Sequence, residues 1–254
     1  MVSAKITSIN KGLQLFLLVF IVLLSLPFGY HAFDVGQIGL ITNDFSATSL
    51  GLNQQGNRLT GSGIGLHMLL GGFLTLLAPI QVLLGWKKKW LVWHKRLGYL
   101  IFGGAILTGV GGLTYIFLHQ TTGGIVMDIA FSLYGVLMII AAVQTVRHAR
   151  NHQLEQHEEW SLRLFVLAIG SWFYRVCYGA WFFYHRAPIG HTDNFQGTFD
   201  YFMDFAFYLL PLLALEIYFR TIKTKQLNIP PLLGSFLMLS MIAFMIVGFI
   251  VYWG

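Results

Sequence analysis

Nine histidines in 254 residues are the first candidates for chemistry. A neutral imidazole can ligate a metal ion or a haem iron, and its unperturbed titration lies closest to neutral pH among the side chains. Along the chain they sort into two groups. His31, His67, His119, His185 and His191 border one set of connections, and His94, His148, His152 and His157 border the other. Two imidazoles from different helices at one depth would hold haem b. His67 is the first ligand candidate, with His119 or His31 as its opposite number, and Gly71 and Gly72 leave room beside it for a flat molecule. Arg175 would then balance a propionate or another anion. His94 and His119 are 25 residues apart, about 37 Å along a helix, which is too far for two well-buried haems on one span.

Two other chemistries compete for the same residues. His67, His119 and Asp128 could hold a divalent metal ion that activates water, as in a metal-dependent membrane hydrolase. No His-x-x-x-His or His-Glu-x-x-His pair lies on a span, so those ligands would have to converge from separate helices. Arg175, Asp204, Asp128 and Glu216 could instead form ion pairs, or line a pathway for protons or a small anion in a transporter. Asp204 and Asp128 lie at heights compatible with Arg175, while Glu216 could meet Arg163. Pro79 and Pro211 mark places where freed carbonyls could face such a pathway. In a further cluster, His157, Trp160 and Arg163 recur every third residue and share a helix face. Together with His94, Lys95 and Arg96, that face could hold a phosphate, an anionic headgroup or a propionate.

Those residues must be positioned by membrane helices. Hydrophobic residues make up 56% of the chain and charged ones 10%, too little charge for a water-facing surface. Seven apolar runs of about 20 residues, the length needed to cross a bilayer, fall near 13–32, 64–85, 97–119, 124–146, 161–184, 199–219 and 231–253. The fold class expected is all-α: a polytopic seven-helix membrane bundle in a single domain over 1–254, with a polar external connection at about 33–63. Of 16 Lys and Arg, thirteen fall on the side of the N-terminus, Arg58 and Arg186 fall on the other, and Arg175 lies within a span. This bias places the N-terminus inside and the C-terminus outside. It also accounts for the net charge of +6 without a nucleic-acid partner. The single cysteine, Cys177, excludes an internal disulfide framework and a multi-thiolate metal site.

A set of short motifs runs in a fixed order from the second span to the sixth. His67 is followed by glycine and by Pro79-x-Gln81; His94-Lys95-Arg96-Leu97-Gly98 opens the third span, with Gly111-Gly112 further on. Gly123-Gly124 precedes the fourth span, His157-x-x-Trp160-x-x-Arg163 opens the fifth, Arg175 lies within it, and Glu216 comes late in the sixth. This order resembles domain-of-unknown-function family 2306, a group of bacterial membrane proteins, although Ser161 stands where the family usually has methionine. The resemblance implies a bacterial cytoplasmic (inner) membrane and points to His67, His94, His157, Arg163 and Arg175 as site residues. It implies no reaction. Haem-b binding or other redox activity, with a redox partner or quinone in the bilayer, is the leading expectation. A transporter, a hydrolase and a non-catalytic accessory subunit are the alternatives.

Overall fold

The computed structural model describes residues 2–41, 58–86, 88–222 and 231–253. It contains eight α-helices: α1 (Val2–Ile41), α2 (Arg58–Gly85), α3 (Leu91–His119), α4 (Gly124–Arg150), α5 (Leu154–Ala168), α6 (Gly170–His185), α7 (Thr198–Ile217) and α8 (Pro231–Trp253). Among the described residues, six stretches are each long and apolar enough to cross a membrane, and α5 with α6 makes a seventh if that bent pair is one span. Leu100, Phe117 and Ile125 keep 69%, 77% and 70% of their surface exposed. On a bundle of this kind such side chains form the lipid-facing surface. The connection expected at 33–63 is helical at both flanks, to Ile41 and from Arg58, and its middle, 42–57, lies outside the described residues.

Small residues set how closely the helices approach, as expected where lipid removes the hydrophobic drive between them. Gly36 of α1 lies against Leu69 of α2, Gly63 of α2 against Gly111 of α3, and Gly179 of α6 against Gly248 of α8. The main core is aromatic at its centre. Phe207 packs edge-on to Phe131, Tyr134 and Tyr174, with ring centres 5.7, 5.1 and 5.1 Å away. Such edge-to-face contacts add to the gain from burial alone.

The fifth span differs from the single helix expected over 161–184. It begins earlier, at Leu154, and bends by 53° between α5 and α6. A bend frees carbonyls that the helix would otherwise satisfy, and in a membrane these need other donors. Neighbouring side chains supply them: Tyr134 donates its hydroxyl to the Leu167 carbonyl, and Thr75 donates to that of Ala168 at 3.1 Å. Gly170 lets Tyr134 come this close to the bend, because a Cβ there would stand 2.9 Å from its hydroxyl. Pro79 and Pro211 do not interrupt their spans; each lies inside one continuous helix. At the bend the carbonyls of Leu167 and Ala168 take their donors from neighbouring helices.

Candidate functional site

The bend forms one boundary of a cavity of about 780 Å³ inside the bundle. Met68, Leu74, Ile116, Phe131, Met138 and Phe207 give it apolar walls, and His31, His67, Thr108, Ser171, Tyr174 and Arg175 supply polar groups. Its volume falls in the range of sites for drug-sized organic ligands.

His67 is held in a defined orientation. Its Nδ1 lies 2.9 Å from the Thr108 carbonyl; a carbonyl only accepts, so Nδ1 carries the proton and Nε2 keeps a lone pair. This is the arrangement of an imidazole prepared to ligate, with its second nitrogen anchored to the backbone. Gly112 makes space for the ring, since a Cβ there would lie 2.6 Å from Nδ1. His31 lines the same cavity from α1, and Arg175 is the nearby cation for both histidines.

Arg175 donates from Nη1 to the Ser171 carbonyl at 2.9 Å, and its guanidinium lies 4.8 Å from the Phe28 ring centre. Neither carboxylate expected to balance it does so. Among the described residues the ion pairs are Arg163–Glu216 and His191–Asp200, and Arg175 belongs to neither. Asp128 accepts from the Thr121 backbone N–H and hydroxyl, both at 2.7 Å, and so ties the turn between α3 and α4. Asp204 is fully buried, with a 3.5 Å bond from the Tyr174 hydroxyl to Oδ1 and no partner at Oδ2. Glu216 is committed to Arg163 at 2.7 Å. Of the four pathway residues only Arg175 lines the cavity, so the expected continuous route is not assembled.

His119 is not the opposite number of His67. It sits at the last turn of α3, stacked on Tyr115 at 5.1 Å with Nδ1 3.3 Å from the Gln120 carbonyl, and it does not line the cavity. The metal set of His67, His119 and Asp128 fails for the same reason. Among the described residues no three His, Cys, Asp or Glu side chains group as metal ligands.

At the other end of the bundle the expected neighbours do meet. The His94 and His157 rings lie edge to face, 6.3 Å between centres. Arg163, however, is occupied by Glu216 and by the faces of Trp160 and Phe219, at 4.7 and 4.9 Å. It holds α5 to α7 and is not a free anion site.

Sequence reasoning missed the carboxylate that organises the loop beside the cavity. Asp200, fully buried, accepts from Tyr178 and His191 at 2.7 Å, from the Gly197 N–H at 2.9 Å and from the Thr192 N–H at 3.0 Å. Its signal was local: an acid three residues after Gly197, in the first turn of a helix, is where an N-terminal cap belongs. Thr108, Tyr134 and Thr75 were invisible because their partners lie on other helices.

The family model described as "Predicted membrane protein (DUF2306)" matches residues 64–193, from the second span through the Asp193 loop. No curated protein and no solved structure matches the chain.

Proposed function

The chain belongs to the predicted membrane protein family DUF2306, and from the cavity built largely by its matched residues we propose that it binds an apolar molecule with an acidic edge, haem b foremost. The observation that carries this reading is the pairing, in one cavity with largely apolar walls that also takes in Asp193, of an anchored His67 with an Arg175 that forms no ion pair among the described residues. A cation left unbalanced inside a membrane protein is costly, and an anionic group on the ligand would offset that cost.

The residues divide the work. His67 would offer Nε2 to the iron while Thr108 fixes its ring, and Arg175 would take a propionate. His31 also lines the cavity and would help His67 hold the haem. Bound haem supplies one-electron chemistry, and the electron would pass to or from a redox partner or quinone in the bilayer. The basic-residue bias supports a topology with the N-terminus inside, and the family resemblance supports a bacterial inner membrane.

A second reading has its own support. His31 and His67 come from adjacent helices rather than demonstrably opposite walls, and an apolar cavity with one free guanidinium would also suit a lipid-derived acid with no iron. The absorption spectrum of the purified protein, oxidised and dithionite-reduced, separates the two. Haem binding gives a Soret band that shifts on reduction and disappears in His67→Ala. No Soret band after expression with ample haem overturns the haem reading, and an acid in the organic extract, lost in Arg175→Ala, would support the second.

A further inference from the structure

Beside the cavity a row of hydrogen-bonded side chains runs inward from the loop at 186–197. His191 Nδ1 donates to Asp200 Oδ1 at 2.7 Å, and the same oxygen accepts from the Tyr178 hydroxyl at 2.7 Å. The Tyr178 and Tyr174 hydroxyls are 2.9 Å apart, and the Tyr174 hydroxyl stands 3.5 Å from Asp204 Oδ1. The outer end meets solvent, since the His191 side chain is 17% exposed, whereas Asp200 and Asp204 are fully buried. Tyr174 also lines the cavity.

Proton balance decides which of the two acids is ionised. Three contacts join Asp200, Tyr178, Tyr174 and Asp204 in a row, and each tyrosine hydroxyl brings one proton. The third proton must come from a carboxyl. Asp200 accepts four hydrogen bonds, two of them from backbone N–H groups, and is the settled anion. Asp204 lies one turn further along α7, its Oδ2 is buried with no partner, and it forms no ion pair among the described residues. A second buried negative charge so close to the first would be costly. The neighbouring polar groups are committed elsewhere: Tyr208 donates to the Ala130 carbonyl, Tyr134 to that of Leu167 and Arg175 to that of Ser171, while Arg163 pairs with Glu216.

We propose that Asp204 is a buried acid that holds a proton at neutral pH, and that Tyr174, Tyr178, Asp200 and His191 form the route by which it exchanges that proton with the medium at the loop. When Asp204 is ionised, His191 Nδ1 gives its proton to Asp200 while Nε2 keeps one taken from the medium. Asp200 then gives a proton to Tyr178, Tyr178 gives its own to Tyr174, and Tyr174 gives its own to Asp204. Each hydroxyl loses one proton and gains one, Asp200 is left an anion again, and one proton has passed from the medium to Asp204. The three contacts then run Asp204 to Tyr174, Tyr174 to Tyr178 and Tyr178 to Asp200, each with a proton. The store lies one side chain behind the cavity wall, and it does not depend on the haem reading. It differs from the route of four charged residues expected from the sequence, since Asp204 alone is common to both.

The test is infrared absorption of the full-length purified protein at neutral pH, in the region of the carbonyl stretch of protonated carboxylic acids. The expected result is a band that shifts in heavy water, disappears in Asp204→Asn and stays in Asp34→Asn, a change at an exposed acid. Gel filtration checks that each variant is folded. If Asp204→Asn does not fold, a heavy-carbon label on the aspartate carboxyls of the wild type must move the band. The route is read from the rate of the heavy-water shift, which should slow at least tenfold in Tyr178→Phe, where the ring stays and the hydroxyl goes. Absence of the band in wild type overturns the proposal, as does a band that survives in folded Asp204→Asn or ignores the aspartate label. An unchanged rate in folded Tyr178→Phe overturns the route. The His67→Ala protein separates this proposal from the cavity reading, since it should lose any Soret band and keep the carboxylic acid band.

Discussion

Two arginines sit on the same bent span, and the protein treats them in opposite ways. Arg163, on α5, has a carboxylate at 2.7 Å and two aromatic faces within 5 Å. Arg175, on α6, has one carbonyl, one phenyl ring and an open cavity. The 53° bend between the helices separates them. An ionisable group within a membrane span is ordinarily paired or hydrated. Arg163 follows that rule with a partner from α7, and Arg175 follows it only if something enters the cavity. The difference assigns a structural role to Arg163 and a binding role to Arg175.

The contrast can be broken at several points. The largest effect is expected where the cavity end is most firmly tied. Asp200→Asn replaces a carboxylate that accepts four hydrogen bonds by a neutral amide whose one oxygen can serve the Thr192 and Gly197 N–H groups. Its NH2 then meets Tyr178 and His191, which donate to that position in the wild type, and the pairing with His191 is lost. It should cost about 3 kcal/mol, read as a lowered denaturation midpoint in detergent, with release of the loop detected by proteolysis within 186–197. Arg163→Ala comes next. Its pair with Glu216 is only partly exposed, at 16% and 36%, so the loss should lie between those of surface and buried pairs, about 2 kcal/mol. If Glu216→Gln destabilises to a similar degree and Arg163→Ala with Glu216→Gln is no worse than either alone, the pair acts as a unit.

Smaller effects sharpen the comparison. Gly112→Ala places a methyl 2.6 Å from His67 Nδ1, and such overpacking costs about 1–3 kcal/mol. Its more telling effect is on binding, because it turns His67 away from Thr108; any Soret absorbance should fall with little change at the His94 end. Arg175→Met should be nearly neutral for stability, within about 0.5 kcal/mol, because no ion pair is lost, and yet should weaken retention of an acidic ligand strongly. A large loss of stability in Arg175→Met would mean that the guanidinium is structural after all.

Much of the architecture was legible in the sequence because lipid imposes a simple length rule. Apolar runs located every helix, and the last is found at the expected 231–253, but the ends moved elsewhere: the first helix spans Val2–Ile41 against an expected 13–32, and the second and third begin six residues earlier than expected. The bend at Ile169 was not legible because no proline marks it. In the structure the prolines lie in continuous helices, and Gly170-Ser171, backed by hydroxyls from Tyr134 and Thr75, carries the break. At the site, His67 and Arg175 could be found from one chain segment each, since an imidazole beside glycines and a lone intramembrane cation are visible without a partner. His119 could not be placed, because the direction a side chain takes at a helix end depends on packing with other helices. The Arg163–Glu216 pair was reachable from matched depths, whereas Asp128 and Asp204 shared depth with Arg175 but faced other helices. Depth is read from counting residues; azimuth is set by contacts between helices, and a single sequence carries little of it.

The most direct measurement is haem content per chain for protein expressed with ample haem, compared among wild type, His67→Ala, Arg175→Met and His157→Asn. Binding in the cavity requires near-stoichiometric haem in wild type and His157→Asn, almost none in His67→Ala, and a reduced amount in Arg175→Met. Haem that survives loss of His67, or that vanishes with His157 and not with His67, would contradict the assignment of the cavity as its site.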